Sequence, residues 1–380
     1  MDDVDDGHSS PTSILDRRLC DVALVVTAKR GLIVRAGVEL QSDQVATIAQ
    51  GTRCRANDER ETQGKKRVRL VDPIEGWASS KCLKPEWVSS AQASGCVRWV
   101  VDILNWAPTE TEFRFLLEFI PESTERDGVL QYAKSEDRKR ALVSRLLIRR
   151  CASLSLNLDQ LSSVHILRTK GRKPFLKASQ KPDDRPNFNF NVSHEGRYVV
   201  LAAEPHCLCG MDVAAPEAYR KPLNLDSLKS TFTDREWAFV EERDTLPRFR
   251  ALWACKEAFT KARGDGLGFP FRDAEFTLAY DAGGFGAVVA VDGIRLDDWR
   301  FRGVVLEEHV CVVARGPITS IVDGEGAFRR TLAAPVPAGA LDAAWPAFDV
   351  LRPRDLVPPD RAAAFAAVGG APPRPPAPEL

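Results

Sequence analysis

The stretch from Arg248 to Pro270, RFRALWACKEAFTKARGDGLGFP, constrains the fold most because its apolar residues recur at helical spacing. A repeat of three or four positions predicts an amphipathic helix with one buried face. Gly264 follows the last basic turn, where a helix often ends on a left-handed glycine. Glu257 and Lys261 lie one turn apart on a second face, where an ion pair alone would contribute only about 0.2–0.5 kcal/mol. The residues of the buried face are Leu252, Cys255, Phe259 and Ala262.

Length and composition exclude several classes of protein. The chain has 380 residues, which exceeds one ordinary domain and predicts two or three. Its 53 Lys and Arg residues balance 53 Asp and Glu residues, so the net charge does not indicate a nucleic-acid partner. Because an apolar run of ~20 residues and a secretory signal are both lacking, we expect a cytoplasmic protein without a membrane segment. The nine cysteines are scattered, which favours reduced thiols over disulfides or a zinc site.

Both ends of the chain are predicted to be largely disordered. Residues 1–28 begin with an acidic, polar run, followed by one strand candidate at Val22–Val26. Residues 321–380 are rich in Ala and Pro, a composition that is typical of segments without a packed core. The folded part is therefore expected between these segments, with a polar linker near residues 84–96.

Residues 29–90 contain short strand candidates that are separated by glycine and Asx turns. The segments LIVRAGVELQSDQVATIAQGT and RVRLVDPIEGWASSKCL resemble a bacterial-type SH3-like barrel. In that family the barrel binds peptides or cell-wall material, so the resemblance implies an unknown peptide ligand and no catalytic residue. A purely structural appendage is the alternative, and the sequence does not separate the two.

Three motifs further along the chain carry candidate functional groups. The basic loop RTKGRKP, residues 168–174, is either an exposed turn or a polyphosphate site, because guanidinium and ammonium groups suit phosphate oxygens. The run NFNFNVSH, residues 187–194, alternates as a strand does and ends at a histidine. Asp212 lies between apolar neighbours in the strand candidate CGMDV, where an unpaired charge would be costly unless the strand is an edge strand facing water.

The ordered set NFNVSH, G-x-D and W-x-x-K-E-x-x-x-K resembles the 4′-phosphopantetheinyl transferases of the larger, surfactin-synthetase-activating type. Over about residues 98–314 it is similar in particular to the eukaryotic branch that serves aminoadipate-semialdehyde dehydrogenase. The resemblance implies an α+β fold, with a pseudo-dimer of two similar α+β halves at residues 97–206 and 207–318 after a small all-β SH3-like barrel. It also implies transfer of the phosphopantetheine arm of coenzyme A to a serine of apo acyl or peptidyl carrier proteins, releasing adenosine 3′,5′-bisphosphate.

The same resemblance assigns roles to individual residues. Asp212 and Glu257 would hold Mg²⁺ or Mn²⁺, Lys261 would stabilise the leaving group, and Glu257 would take the serine proton directly or through water. Many bacterial members have a second acid where this chain has Ala214, so either Glu195 or a water would complete the metal site. The loop also departs from the family's usual RTAKGKP in the order of its middle residues. The residues implied to bind coenzyme A are Arg126, Arg168, Lys173, Asn191, Ser193, His194 and Lys261.

A catalytically decayed scaffold that binds carrier proteins is the alternative function. The intact Asp212, Glu257 and Lys261 favour an enzyme instead. A different phosphotransferase is disfavoured because the G-x-x-x-x-G-K-[ST] loop is lacking, and a nucleic-acid module because the basic loop has no aromatic platform beside it. We expect a monomer that acts on carriers of fatty-acid, polyketide, peptide-synthetase or lysine pathways, and the sequence does not identify which.

Overall fold

A computed structural model gives the structure of residues 22–158, 160–219, 224–332 and 335–370. The chain divides into two units, Met1–Ser89 and Ser90–Leu380. Residues 1–21 and 371–380, which fall in the segments predicted to be disordered, lie outside the described residues. Among the helices of the described ranges, none has both the length and the apolar character needed to cross a membrane.

The first unit consists of short strands whose apolar side chains share one core. Its strands are β1 Val22–Val26, β2 Leu32–Arg35, β3 Gln44–Ile48, β4 Arg53–Thr62, β5 Lys65–Asp72, β6 Gly76–Ser79 and β7 Leu83–Pro85. Neighbouring strands pair antiparallel in the order β3-β2-β6-β5-β4-β1-β7. Val34 and Leu70 are fully buried in the core. The prediction of a small all-β unit is confirmed.

The first half of the second unit packs a long helix against a small sheet. The elements are α1 Glu86–Ser94, β8 Val97–Asp102, α2 Glu110–Leu117, α3 Ser123–Leu130, α4 Ser135–Ser155, β9 Ile166–Arg168, β10 Pro174–Leu176, β11 Asn189–Glu195 and β12 Tyr198–Glu204. Strands β11, β12 and β8 pair antiparallel in that order, and α4 packs on β11 and β12. Glu136 and Asp137 in the first turn of α4 complement the helix dipole. The predicted linker at 84–96 is wrong, because most of it forms α1.

The second half repeats the plan with a six-stranded sheet and another long helix. Its elements are β13 Leu208–Ala214, α5 Leu225–Leu228, α6 Asp234–Glu242, α7 Thr245–Arg263, β14 Ala274–Asp281, β15 Gly284–Val291, β16 Ile294–Arg295, β17 Arg300–Leu306 and β18 His309–Gly316. The strand order is β13-β18-β17-β15-β14, and β16 pairs with β15. Thr233 and Glu236 form a capping box at the start of α6. Helix α7 ends at Gly264, whose φ of 90° is left-handed, as predicted.

The two halves share a core. Val200 of β12, Met211 of β13 and Val313 of β18 belong to one buried apolar cluster, so the sheets of the two halves face each other. The four residues of the predicted buried face of α7 are at most 1 % exposed and pack on the second sheet. The prediction of an α+β fold with two similar halves after an all-β unit is therefore confirmed.

The prediction of a disordered tail from residue 321 is wrong for the described part of that segment. Strand β19, Asp349–Leu351, pairs parallel with β8 and completes the sheet order β11-β12-β8-β19. A short helix, α8, follows at Ala362–Phe365, and the ring of Phe365 lies 5.6 Å from that of Phe115 in α2. A few well-spaced apolar residues thus anchor a segment whose average composition is poor in them.

A buried carboxylate holds two arginines where the two sheets meet. Glu204 at the end of β12 accepts hydrogen bonds from Arg98 of β8 and, at 2.7 Å, from Arg315 of β18. The three side chains are at most 4 % exposed, so water does not screen their interaction. Burial alone would raise the pKa of Glu204, but the two arginines outweigh burial and lower the pKa below its ordinary value of 4.5. The ring of Trp345 covers the guanidinium of Arg315 at 4.0 Å.

Replacing Glu204 by glutamine should lower the free energy of unfolding by about 3–5 kcal/mol, because two buried cations lose their shared counter-charge. Urea unfolding followed by tryptophan fluorescence measures this, since six of the eight tryptophans lie after residue 90. Glu110→Gln is the control: Glu110 pairs with Arg114 at 2.7 Å but is 73 % exposed, so it should cost less than about 0.5 kcal/mol.

The effect should also depend on pH. The contribution of Glu204 is fully present above pH 4.5 and is lost as the pH falls through the lowered pKa of the folded state. The stabilities of wild type and Glu204→Gln should therefore converge in acid. A difference below about 1 kcal/mol at neutral pH would contradict the role of the buried ion pairs.

Candidate active site

Helix α7 lies directly on strand β13, and a glycine makes this approach possible. A Cβ atom at Gly210 would lie 1.9 Å from the carbonyl oxygen of Ala258 and 2.7 Å from the main-chain nitrogen of Ala262, so a larger residue would displace the helix. Asp212 is two positions further along and therefore projects from the same face of β13 as Gly210. The glycine of the G-x-D motif thus sets the distance between Asp212 and the helix.

Lys261 of α7 joins two carboxylates. Its ammonium donates to Oδ1 of Asp212 at 2.5 Å and lies 3.8 Å from Oε2 of Glu257. It also donates to Oγ of Ser193 at 3.0 Å, and Ser193 donates to the same Oδ1 at 2.8 Å. Because Ser193 belongs to β11, the cluster combines side chains from both halves. The structure therefore brings together the three residues that are predicted to be catalytic.

The charges of this cluster shift one another's pKa. Burial raises the pKa of Glu257 above its ordinary value; Lys261 opposes the shift, while Asp212 and Glu195 add to it. Burial would lower the pKa of Lys261, but Asp212 and Glu257 outweigh burial and raise it. The ammonium is therefore a permanent cation near neutral pH, and Glu257 is a stronger base than an exposed carboxylate.

The carboxylates fit a hard divalent cation, which prefers oxygen ligands. Burial is the main cause of the raised pKa of Glu257, and the negative charges of Asp212 and Glu195 add to it; a cation between these groups would relieve the repulsion among the carboxylates. Oε2 of Glu195 also accepts a hydrogen bond from the main-chain nitrogen of Ala215 at 2.6 Å. Across the part of the chain that the structure describes, no three His, Cys, Asp or Glu side chains are arranged as a complete metal site.

Polar side chains at alternate positions of β11 fasten that strand to β13. Oδ1 of Asn189 accepts from the main-chain nitrogen of Cys209, and Oδ1 of Asn191 accepts from that of Met211, both at 2.9 Å. Ser193 and Glu195 continue the series through their bonds to β13 and the residue after it. We call these four side chains the polar ladder. The sequence predicts Asn191 as a coenzyme A contact, whereas the structure buries its side chain in this ladder.

His194 follows Ser193 on β11 and is exposed. Partial desolvation, followed by the positive charges of Arg140 and Lys261, lowers the pKa of its imidazole to about 4. The ring is therefore neutral at pH 7 and has one donor and one acceptor nitrogen. Because cations surround it, this end of β11 is electrostatically suited to a phosphate group.

The two basic residues predicted to bind coenzyme A from the RTKGRKP loop have different environments. Arg168 is partly exposed and pairs with Glu125. The ammonium of Lys173 is buried and donates to the main-chain oxygens of Cys209 at 2.9 Å and Lys261 at 2.8 Å. Burial lowers the pKa of Lys173 to about 8. Lys173 therefore fastens the loop to β13 and the end of α7, which differs from the predicted phosphate contact.

The unusual order of residues in this loop has a structural reason. A Cβ atom at Gly171 would lie 2.9 Å from the carbonyl oxygen of Gly264, so the loop packs closely on the end of α7. Arg172 then takes a left-handed φ of 67° at the position where the family's usual motif has glycine. Gly171 therefore allows the loop to pack closely on α7, and Arg172 carries the backbone strain of the left-handed conformation.

Arg126 is placed at the start of α3. Its Nη1 donates to the main-chain oxygens of Ile120 at 2.7 Å and Pro121 at 2.8 Å. Its contact with coenzyme A stays a prediction. Sequence reasoning does not identify Asn189, Glu125 and Arg140 as part of the site's surroundings. For Asn189 the alternation of Asn residues is a usable signal, whereas the contacts of Glu125 and Arg140 depend on tertiary structure.

Comparison with known families matches two adjacent ranges of the second unit. A model described as 4′-phosphopantetheinyl transferase, N-terminal, matches residues 104–206. A second model, of the 4′-phosphopantetheinyl transferase superfamily, matches residues 208–314. The junction between the two ranges falls between β12 and β13, where the first sheet gives way to the second.

Curated relatives are similar over the same region. The L-aminoadipate-semialdehyde dehydrogenase-phosphopantetheinyl transferase of Homo sapiens is 36 % identical over 236 residues, which cover 58 % of this chain and 75 % of the relative. A phosphopantetheinyl transferase of Thraustochytrium sp. is 33 % identical over 226 residues, 56 % of this chain and 76 % of the relative. The 4′-phosphopantetheinyl transferase Sfp of Bacillus subtilis is 29 % identical over 175 residues, which cover 45 % of this chain and 72 % of the relative.

Gly210→Ala should lower the free energy of unfolding by about 1–3 kcal/mol, because its new methyl group overlaps the backbone of α7. Thermal unfolding followed by circular dichroism measures the change. Gly324→Ala is the matched control, since a Cβ atom there meets nothing within 4 Å. Equal stability of the two variants would show that α7 does not depend on the absence of a side chain at Gly210.

Asn191→Ala should weaken the polar ladder, because the buried main-chain nitrogen of Met211 loses its acceptor at a cost of about 1–3 kcal/mol. Hydrogen exchange measured by mass spectrometry should show faster exchange in peptides that contain β13. Asn105→Ala replaces an exposed asparagine and serves as the control. Unchanged exchange in β13 would rule out the structural role of Asn191.

Proposed function

Because the chain belongs to the 4′-phosphopantetheinyl transferase superfamily, we propose that it transfers the phosphopantetheine arm of coenzyme A to a serine of apo carrier proteins. The other product would be adenosine 3′,5′-bisphosphate. The observation that carries the proposal is the meeting of Asp212, Glu257 and Lys261 beside Ser193 of the other half. The names of the relatives from Homo sapiens and Bacillus subtilis support transfer of this arm.

Lys261 and Asp212 act on the departing group. Attack on the β-phosphorus of coenzyme A breaks its bond to the bridging oxygen, and negative charge builds on the adenosine bisphosphate. Lys261 stabilises this charge, because its raised pKa keeps the ammonium protonated. Asp212 and Ser193 orient the ammonium through hydrogen bonds of 2.5 and 3.0 Å, so it needs little reorganisation during the reaction.

Asp212 and Glu257, with Glu195 beside them, would hold Mg²⁺ or Mn²⁺. When bound, the ion supplies positive charge to the pyrophosphate oxygens. Glu257 accepts the proton of the carrier serine, directly or through one water. Its side chain is 26 % exposed and its pKa is raised, so it is both accessible to substrate and more basic than an ordinary carboxylate.

Arg168, Arg126 and His194 bind phosphate groups of coenzyme A in this proposal. Arg168 is the partly exposed cation of the RTKGRKP loop, and His194 lies among cationic neighbours at the end of β11. Arg168 faces the adenosine 3′-phosphate, for which a guanidinium is well suited. Lys173 and Asn191 support the site by fixing the loop and the strands that carry these groups.

The proposal extends to the carrier protein and to the first unit. Carriers of fatty-acid, polyketide, peptide-synthetase and lysine pathways all present the required serine. The all-β first unit would bind a peptide, as SH3-like barrels do, and would act on localisation or partner choice rather than on the chemistry. Incubating the full chain with coenzyme A, a divalent cation and a panel of apo carriers, then weighing the products, identifies the substrate class.

Glu257→Gln should abolish transfer to the carrier while coenzyme A still binds, because the amide cannot accept the serine proton at neutral pH. Mass spectrometry of the carrier measures transfer, and isothermal titration calorimetry measures coenzyme A binding. Glu241→Gln on the neighbouring helix α6 is the matched control; its carboxylate is 60 % exposed and should be dispensable. Wild-type turnover by Glu257→Gln would exclude this residue as the base. A wild-type chain that binds carriers without modifying any would instead indicate a scaffold.

A further inference from the structure

Glu125 on α3 binds two arginines that come from different elements. Oε1 accepts from Nε of Arg168 at 2.6 Å, and Oε2 accepts from Nη2 of the same guanidinium at 2.9 Å. Nε of Arg145 on α4 lies 2.9 Å from Oε2 as well. The carboxylate therefore links the RTKGRKP loop to the long helix of the first half.

The contact with Arg168 is bidentate, which fixes both the position and the plane of the guanidinium. Nη1 of Arg168 is directed to the main-chain oxygen of Arg172 at 3.3 Å, so the loop itself restrains the third nitrogen. Arg168 is 29 % exposed, whereas Glu125 is 18 % exposed. The carboxylate therefore holds the edge of the guanidinium formed by Nε and Nη2, while part of the Arg168 side chain stays accessible.

Glu125 also allows two cations to lie close together. Burial lowers the pKa of Arg145, Glu125 opposes this shift, and the like charge of Arg168 adds to it. Burial alone would raise the pKa of Glu125, but Arg168 and Arg145 outweigh burial and lower it, so the carboxylate remains ionised at neutral pH. Without the carboxylate, the two guanidinium groups would repel each other and Arg168 would lose its fixed orientation.

We propose that Glu125 is a positioning residue: it presents Arg168 in a fixed orientation to the 3′-phosphate of the adenosine moiety of coenzyme A. This inference rests on the proposed function, in which Arg168 faces that phosphate. Glu125 acts through Arg168 and does not contact the reacting atoms. Selectivity for a 3′-phosphorylated nucleotide therefore depends on a carboxylate, although the ligand is an anion.

The experiment compares the binding of adenosine 3′,5′-bisphosphate and adenosine 5′-monophosphate to the full chain by calorimetry. Glu125→Gln should weaken binding of the bisphosphate roughly tenfold, the scale on which positioning partners act. Binding of the monophosphate should change less than twofold, because the 3′-phosphate is missing. With coenzyme A, KM should rise and kcat should remain unchanged, whereas with dephospho-coenzyme A both should match wild type.

Glu122→Gln is the matched control. Glu122 lies just before α3 and pairs with Arg149, so this variant removes the same charge close by without touching Arg168. The loss of this negative charge should not weaken the binding of either nucleotide, because both are anions. Glu125→Asp keeps the charge but is one methylene shorter, and it should show the same selective loss for the bisphosphate. It also provides the test if Glu125→Gln fails to fold.

Arg168→Ala separates this inference from the proposed function. If Arg168→Ala selectively weakens binding of the bisphosphate and neither Glu125 variant does so, Glu125 has no positioning role. If Arg168→Ala changes the affinities for the bisphosphate and the monophosphate by the same factor, the phosphate contact of Arg168 in the proposed function is wrong. Tighter binding of the bisphosphate by Glu125→Gln would show that the carboxylate competes with the phosphate and would overturn the inference.

Discussion

The arrangement of the second unit depends on hydrogen bonds that link four side chains of strand β11 to strand β13 and the residue after it. Strands β11 and β13 belong to different sheets, so their main chains do not pair. The polar ladder takes the place of that pairing, because each of its four side chains binds β13 or the residue after it. The two sheets therefore have a fixed register relative to each other. A shift of one residue along β11 would turn every one of these groups away from its partner.

The candidate active site lies where this ladder ends. Ser193 is a member of the polar ladder and also accepts a hydrogen bond from Lys261, so the register of the strands also fixes the position of the ammonium. On the other side, the absence of a side chain at Gly210 sets the separation of α7 from β13. Lys173 then ties the RTKGRKP loop to the same strand and helix. Fold and chemistry are thus specified by the same contacts, and a substitution that disturbs one will be hard to separate from the other.

Local patterns in the sequence were sufficient for several elements, but not for helix α1, strand β19 or all of the side-chain roles. Helix α7, its glycine end and the capping box of α6 depend on neighbouring residues, and all three are confirmed. The meeting of Asp212, Glu257 and Lys261 follows from the family resemblance. Asn191 and Lys173 could not be assigned in this way, because a polar group that binds a ligand and one that binds a buried main-chain atom look alike in sequence. The order in the C-terminal segment was not predicted, because its average composition is dominated by Ala and Pro. A few apolar residues in it, such as Leu351, are nevertheless buried by tertiary contacts.

The pairing of β19 with β8 has a consequence for how this protein avoids unwanted assembly. Strand β8 would otherwise form the outer boundary of the first sheet, with a row of backbone donors and acceptors open to any extended chain. The protein covers this row with its own C-terminal segment, which lies beyond the two ranges shared with the transferase family. Shortened versions that stop near residue 314 would uncover it and tend to self-associate. The C-terminal segment thus closes the open edge of the first sheet from within the same chain.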